Sequence, residues 1–329
     1  MIKSKISNKL FFSSGNPVGI TNLMPATDKP VDAFLAFIDV PIVNQICNWT
    51  NERADLFFAD TPEQRLRKVN SLIWRPVNEA DMYIYISLSL TMGITHQPNL
   101  SQYWSRDPIF GGSKVFCKEV MSRNRFLSIT KFIRFSSAAG VDKKNPRTRI
   151  QPFLDLLEQK CTTLIDPGLN IAIDEALILW KGRLLFKQFI RTKRSRFGIK
   201  VFFTCPGDTR WQGYCYKFKI YYGKQAEYNV PEAGEELSKS EAIVIDMMAD
   251  LLDTGRHVVT DNWYSSLRLA RALLDRATDL TGVMRPNRGV PDMLREEKLE
   301  KKKSSFARNG NILVCKYEDR KTVHSITTK

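Results

Sequence analysis

The sequence predicts an α/β chain: a mainly α-helical part in front and a mixed sheet behind. Three observations predict it. Up to about residue 167, apolar residues recur mostly at helical spacing. From about residue 168, short β-type runs alternate with helical ones. The order there is strand, strand, strand, helix, strand, helix, strand. The chain has 329 residues, 43% of them hydrophobic, enough for two domains with buried cores. With 17 Gly and 15 Pro, it is neither fibrous nor wholly disordered.

Residues 1–33 read as an irregular tail, with Ser13-Ser14-Gly15, Pro17, Pro25 and Pro30 and little periodicity. A helical region is expected over 34–167. Ile42, Ile46, Trp49 and Leu56 follow helical spacing, with Asp39 as a cap. Residues 113–135 predict one or two helices, capped by Ser122 before Phe126, Ile129 and Ile133. Ile150, Phe153, Leu157, Cys161 and Leu164 predict another. One stretch carries two signals. Met82, Ile84, Ile86, Leu88 and Leu90 alternate with Tyr83, Tyr85, Ser87 and Ser89, which is strand periodicity. Asn78 as cap and Gly93 beyond the last turn favour a helix.

Residues 168–290 hold the sheet. Leu169–Ile173 is a buried strand entering Asp174, followed by a Lys181-Gly182-Arg183 turn. Phe197–Cys205 and Tyr214–Tyr222 are the next strands, joined through turn-forming residues 206–213. Ser238-Lys239-Ser240-Glu241 is a capping box, and Val244, Met248 and Leu251 form an apolar stripe ending at Gly255. His257–Thr260 is a short strand ending at Asp261. A helix capped by Ser265 or Ser266 carries Leu267, Ala270, Leu274 and Ala277 on one face, and Leu280–Met284 is the last strand. Three strands in series can form a meander. The two that follow need helical crossovers and add in parallel. That order is the order of a ribonuclease H-like core. Residues 291–329 form a charged extension with strand-like pieces such as Ile312–Tyr317. No internal repeat is present.

Lys plus Arg number 50 against 35 Asp plus Glu, a net charge of +15 that favours a polyanionic partner, either nucleic acid or an acidic membrane face. The longest apolar run, Met82–Leu90, is far short of the roughly 20 residues needed to span a bilayer. The N-terminus lacks the apolar run of a signal peptide. The six cysteines, Cys47, Cys117, Cys161, Cys205, Cys215 and Cys315, form no CxxC pair, so free thiols in a reducing compartment are expected. His96, His257 and His324 stand apart, which weighs against a His-rich metal site.

Asp174 and Asp261 end, or nearly end, two strands that the inferred sheet makes neighbours. Both carboxylates can then project at one edge and hold Mg2+ or Mn2+ for phosphodiester chemistry. The alternative is that each caps the turn that follows it. Beside them, residues 181–203 hold Lys181, Arg183, Lys187, Arg191, Lys193, Arg194, Arg196 and Lys200 and no acid, interleaved with phenylalanines. A basic stripe of this kind suits a phosphate backbone. Arg285 and Arg288, after the last strand, can meet the same DNA strand. Lys301-Lys302-Lys303 is a weak nuclear-import or backbone-contact signal.

Several of these runs resemble the piggyBac transposase family and its transposable element-derived relatives. They are Ile173-Asp174-Glu175-Ala176, Lys181-Gly182-Arg183, Phe186-Lys187-Gln188, Phe197–Phe202, Thr260-Asp261-Asn262-Trp263-Tyr264-Ser265-Ser266-Leu267 and Leu280–Arg288. Upstream, Met92-Gly93-Ile94, Tyr103-Trp104-Ser105 and Met121–Phe126 fit it, as does Tyr317–Val323 more weakly. The resemblance covers about residues 35 to 329. It implies a DDE/D-type nuclear enzyme that cleaves transposon ends with divalent metal and inserts at TTAA. It also implies a dimerising, DNA-binding helical region over 34–167 and the start of an insertion domain over 291–329. Asp174 and Asp261 match its first two catalytic acids, both metal-coordinating. The third acid of the family lies in a later segment that the sequence does not reach, and Asp319 is not assigned to it. Strand transfer by this chain is therefore expected to be absent. A non-catalytic, domesticated DNA-binding or dimerising module is the alternative.

Overall fold

The computed structural model describes residues 19–21, 29–59, 74–107, 109, 114–142, 144–191, 193, 196–207, 211, 213–223 and 237–329. Most of the expected tail over 1–33 lies outside them. The chain forms two units, one of residues 25–160 and one of residues 1–24 with 161–329. No single described helix is long and apolar enough to cross a membrane.

The first unit is helical: α1 (Pro30–Phe37), α2 (Val40–Ala59), α3 (Glu79–Ile94), α4 (Leu100–Tyr103), α5 (Arg123–Phe132) and most of α6 (Gln151–Leu164). Val43, Ile46 and Ala54 of α2 pack with Met82 and Leu88 of α3 and with Ile129 and Phe132 of α5. The helix signal wins over 82–90. Asn78 accepts a hydrogen bond from the Asp81 amide at 2.9 Å and starts α3. The alternation carries no in-and-out information, because the intervening aromatics pack as well. Tyr85 stacks on Phe126 at 4.7 Å, and the Tyr83 hydroxyl donates to the Ile38 carbonyl. Gly93 lies inside the last turn, and Thr95 is the C-cap. Residues 113–135 give a single α-helix, α5, capped by Ser122 as expected.

In the second unit, β1 (Gly19–Ile20) pairs with β2 (Ile165–Asp166). The main sheet contains β3 (Asn170–Leu179), β4 (Gln188–Phe189), β5 (Phe197–Pro206), β6 (Lys217–Ile220), β7 (His257–Thr260), β8 (Asp279–Met284), β9 (Ser304–Asn309), β10 (Ile312–Glu318) and β11 (Thr322–Thr327). Its order is β4-β5-β3-β7-β8-β11-β10-β9, with β6 also on β5. β5 is antiparallel to β3 and β6 to β5, whereas β7 and β8 add in parallel. Helices α7 (Lys239–Met248) and α8 (Leu267–Leu274) make the crossovers, and α9 (Asp292–Glu296) follows β8. Ile171, Ile173, Val258 and Leu280 of the sheet are buried against Ile243, Met247, Leu269 and Leu273 of α7 and α8.

Four local expectations shift. β3 does not stop at Asp174 but continues along β5 to Leu179. The strand expected over 214–222 pairs only at Lys217–Ile220. In α8 Leu269, Ala270 and Leu273 are buried and the expected Leu267 and Leu274 pack partly buried against the same core, whereas Ala277 lies beyond the helix end at φ 46°. Residues 304–327 extend the same sheet, β11 pairing with β8.

Candidate active site and nucleic-acid interface

The parallel register of β3 and β7 builds the site. Ala172 pairs with Val259 and Ile173 with Thr260. Asp174 and Asp261 directly follow that last pair, Asp174 within β3 and Asp261 just past the end of β7. Strand alternation puts them on the face of Ala172 and Val259, opposite the helix-covered face. Both are exposed. β3 runs on past its acid, with Asp174 opposite Phe203, whereas β7 ends and the chain turns. In that turn Asp261 Oδ1 accepts from the Trp263 amide at 2.8 Å. Asp174 Oδ1 accepts from the Glu175 amide at 2.7 Å. The turn-capping role considered for Asp261 therefore exists alongside its position at the site.

Three further residues set this geometry. Gly282 of β8 lies opposite Thr260. A Cβ there would stand 2.2 Å from Ser265 Oγ and 2.5 Å from the Thr260 carbonyl oxygen, so only glycine lets the turn after β7 close on β8. Tyr264 is fully buried, and its hydroxyl donates to Glu175 Oε2 at 2.9 Å. Glu175 thus ties the strand of Asp174 to the turn of Asp261. Lys193 Nζ pairs with Glu175 Oε1 at 3.5 Å and donates to the Glu175 carbonyl at 3.2 Å. Glu175 and Tyr264 were not singled out from sequence, although each sits beside an acid in a quoted motif.

The acids feel one another. Burial and the Glu175 and Asp174 charges push the Asp261 carboxyl above its ordinary range, against the pull of its hydrogen bond from the Trp263 amide. Lys200 Nζ lies 4.3 Å from the centroid of the Trp263 ring and 4.8 Å from that of Phe202. Burial lowers its pKa, and the carboxylates Glu175, Asp261 and Asp174 oppose the fall. One oxygen of each Asp is held by a backbone N–H. Two adjacent, mutually repelling hard oxygen donors fit a divalent cation completed by water or phosphate oxygens. Among the described residues no three His, Cys, Asp or Glu side chains cluster as a metal site. None of the six cysteines is in a disulfide.

The predicted DNA-contacting cations divide by environment. Lys181, Arg183, Arg191 and Arg196 are exposed. Lys187 donates to the Gly182 carbonyl at 3.3 Å, and Lys193 and Lys200 sit against the acids as described. Arg194 lies outside the described residues. Arg285 reaches Asn262 at 3.4 Å, in the turn that follows Asp261. Arg288 is held in an internal network. It donates to Ser238, Ser240 and the Trp263 carbonyl and lies 3.6 Å from the fully buried Glu241. Its guanidinium therefore joins α7 to the turn after β7, which sequence alone does not reveal.

The antiparallel-then-parallel sheet in the order β6-β5-β3-β7-β8, with an acid directly after the last-paired residue of β3 and of β7, is that of a ribonuclease H-like domain. The family model described as Transposase IS4 matches residues 29–329, and the chain belongs to that family. Among curated proteins it is similar to human (Homo sapiens) piggyBac transposable element-derived protein 3, 24% identical over 258 residues, which are 75% of this chain and 41% of that protein. Human piggyBac transposable element-derived protein 5 is 23% identical over 197 residues, 58% of this chain and 35% of that protein. The chain thus spans less than half the length of either. A solved structure, the cryo-EM structure of the piggyBac transposase synaptic complex with hairpin DNA, shares the fold. The TM-score is 0.77 at 24% identity, covering 95% of this chain and 64% of that one.

Proposed function

We propose that the protein binds DNA as a piggyBac-type transposase does, with Asp174 and Asp261 as the metal-holding pair of a strand-cleavage and strand-transfer site. The observation that carries this reading is the parallel β3–β7 ladder, whose last pair, Ile173 and Thr260, immediately precedes the two acids. Mg2+ or Mn2+ bound there would supply charge to activate an attacking oxygen and stabilise a leaving one. Lys181, Arg183, Arg191 and Arg196 neutralise the phosphate backbone, and Glu175 and Tyr264 hold the acids in register. On this reading the DNA is a transposon end, the target is TTAA, the protein acts as a homodimer and it works in the nucleus. Water and phosphate oxygens would complete the coordination of a metal held by these two carboxylates. A second reading is a non-catalytic DNA-binding module. It is favoured by the backbone hydrogen bonds that occupy one oxygen of each acid, in a turn at Asp261 and within β3 at Asp174.

Fluorescence anisotropy with labelled duplex, over a salt series, tests binding. The logarithm of the affinity should fall linearly with the logarithm of salt, with a slope of about −0.9 per phosphate contact. Mn2+ should raise the melting temperature of the wild type but not of Asp174→Asn. Binding with no such metal effect selects the non-catalytic reading. No salt-dependent DNA binding rejects both.

A further inference from the structure

We infer that the helical unit carries a phosphate-binding pocket of its own, formed by Arg53, Arg134, Arg149 and Ser136, which takes a backbone phosphate of DNA. The pocket has a volume of about 290 Å³ and is lined by those four residues with Ala138 and Val141. That is near the lower end for ligand sites and suits a small group. Arg53 projects from α2, Arg134 directly follows the C-cap of α5, and Arg149 ends the 3-10 turn Pro146–Arg149. Sequence gives no hint that these three converge.

Three guanidiniums share this space, and among the described residues none pairs with a carboxylate. Glu52, the acid next to Arg53 on α2, is engaged elsewhere. It accepts from the Ser137 hydroxyl at 2.9 Å and from the Ala138 amide at 3.3 Å. Partial burial of its guanidinium, and after it the charges of Arg53 and Arg149, lower the Arg134 pKa. Ser136 is only 2% exposed, and its hydroxyl has no hydrogen-bond partner among the described residues. An unsatisfied buried hydroxyl is costly and calls for an explanation. An oxyanion answers both needs, since it neutralises the arginines and accepts from the hydroxyl. Guanidinium forks match the oxygens of phosphate in pairs. Arg134 and Arg149 are themselves exposed, so a phosphate attached to a chain has a way in. The choice of DNA as its source rests on the function proposed above.

Two measurements on the full chain test this. The first follows the melting temperature with inorganic phosphate against chloride at equal ionic strength. The second is duplex anisotropy over a salt series. Phosphate should raise the wild-type melting temperature, and Arg134→Gln should abolish the rise. The same variant should weaken DNA binding about tenfold and flatten the salt slope by about 0.9. The Arg134 backbone amide, which bonds Thr50 Oγ1 at 3.3 Å, is retained in that variant. Arg149→Gln repeats the test independently should Arg134→Gln fail to fold. Lys181→Gln should weaken DNA binding yet keep the phosphate effect. If the arginine variants bind phosphate and DNA as the wild type does, the pocket is refuted while DNA binding stands. If the phosphate effect is present and arginine-dependent but the wild type binds no DNA, the assignment to DNA is overturned and the ligand is a free phosphate.

Discussion

The two faces of the main sheet are built from alternate residues of the same strands, and they do different work. On one face Ile171, Val258 and Leu280 are fully buried under α7 and α8. On the other, Asp174 and Asp261 stand beside Val259 and Val283, which are 40% and 41% exposed. A one-residue step along β3 passes from core to chemistry. The difference teaches that core packing and the placement of the acids are separable here by strand parity. The core face brings β3 and β7 into register, and the open face inherits the acids that directly follow their last pair. Carboxylates obey the same division. Glu241, on the helix side, is held by hydrogen bonds, whereas Asp261, on the open side, faces other acids.

The harshest test of this division is Gly282→Val. Gly282 faces the helix side, and the new side chain would collide with the Thr260 backbone and with Ser265. A loss of about 3 kcal/mol or more is expected, at the upper end for overpacking. Circular dichroism melts should show it as a collapse of the cooperative transition. Val283→Ala, one residue on and on the open face, should change stability by no more than about 0.5 kcal/mol. Equal effects at the two positions would end the separation by parity.

Glu241 comes next. It is fully buried, accepts a hydrogen bond from the Ser266 hydroxyl and one from the Ser238 amide at 2.7 Å, and lies 3.3 Å from Arg268. Burial raises its pKa, but those partners outweigh burial and hold it below the ordinary 4.5. A carboxyl with a depressed folded pKa contributes stability that is fully present above 4.5 and is lost as pH falls through the folded value. Melting temperature should therefore drop on acidification below about pH 4.5. Glu241→Gln should melt lower at pH 7 and show a shallower acid limb.

Tyr264→Phe is milder. It removes one buried hydrogen bond to Glu175, worth about 1 kcal/mol, and it leaves the ring packing intact. Its sharper readout is Mn2+ stabilisation. That should weaken if Glu175 and Tyr264 hold the acids in register, and should stay unchanged if the bond serves only the fold.

Much of this architecture was legible because its signals are local. Asn78, Ser122 and Ser266 each cap the helix that sequence assigns to them. The convergence of Asp174 and Asp261 was legible at one remove, since helical crossovers dictate parallel addition and parallel addition makes the two strands neighbours. What sequence hid depends on distant partners. Arg288 looks like any surface cation until Ser238, Ser240 and Glu241 close around it. The apolar stripe of α8 was read correctly at Leu267, Ala270 and Leu274 but missed the fully buried Leu269 and Leu273, and it ran one residue too far, because the helix stops at Leu274, before Ala277. Over Met82 to Leu90 the cap at Asn78 pointed to the helix that forms, while the alternation pointed to a strand, because the intervening tyrosines of α3 pack as well.

The smallest expected effect has the opposite sign. Burial, and after it the charges of Glu175 and Asp174, raise the Asp261 pKa in the folded chain, so its ionised form opposes folding. For an acid with a raised folded pKa, that penalty is absent well below the ordinary 3.8 and grows as pH rises to the folded value. Asp261→Asn should therefore raise the melting temperature at pH 7, by no more than about 2 °C at this partly exposed position. The same variant should lose all stabilisation by Mn2+. A gain in stability coupled to a loss of metal response would mark Asp261 as a residue held against the interest of the fold, as functional carboxylates are. A loss of stability would instead make its hydrogen bond from the Trp263 amide the dominant role, and the turn cap would replace the metal ligand as the reason an acid stands there.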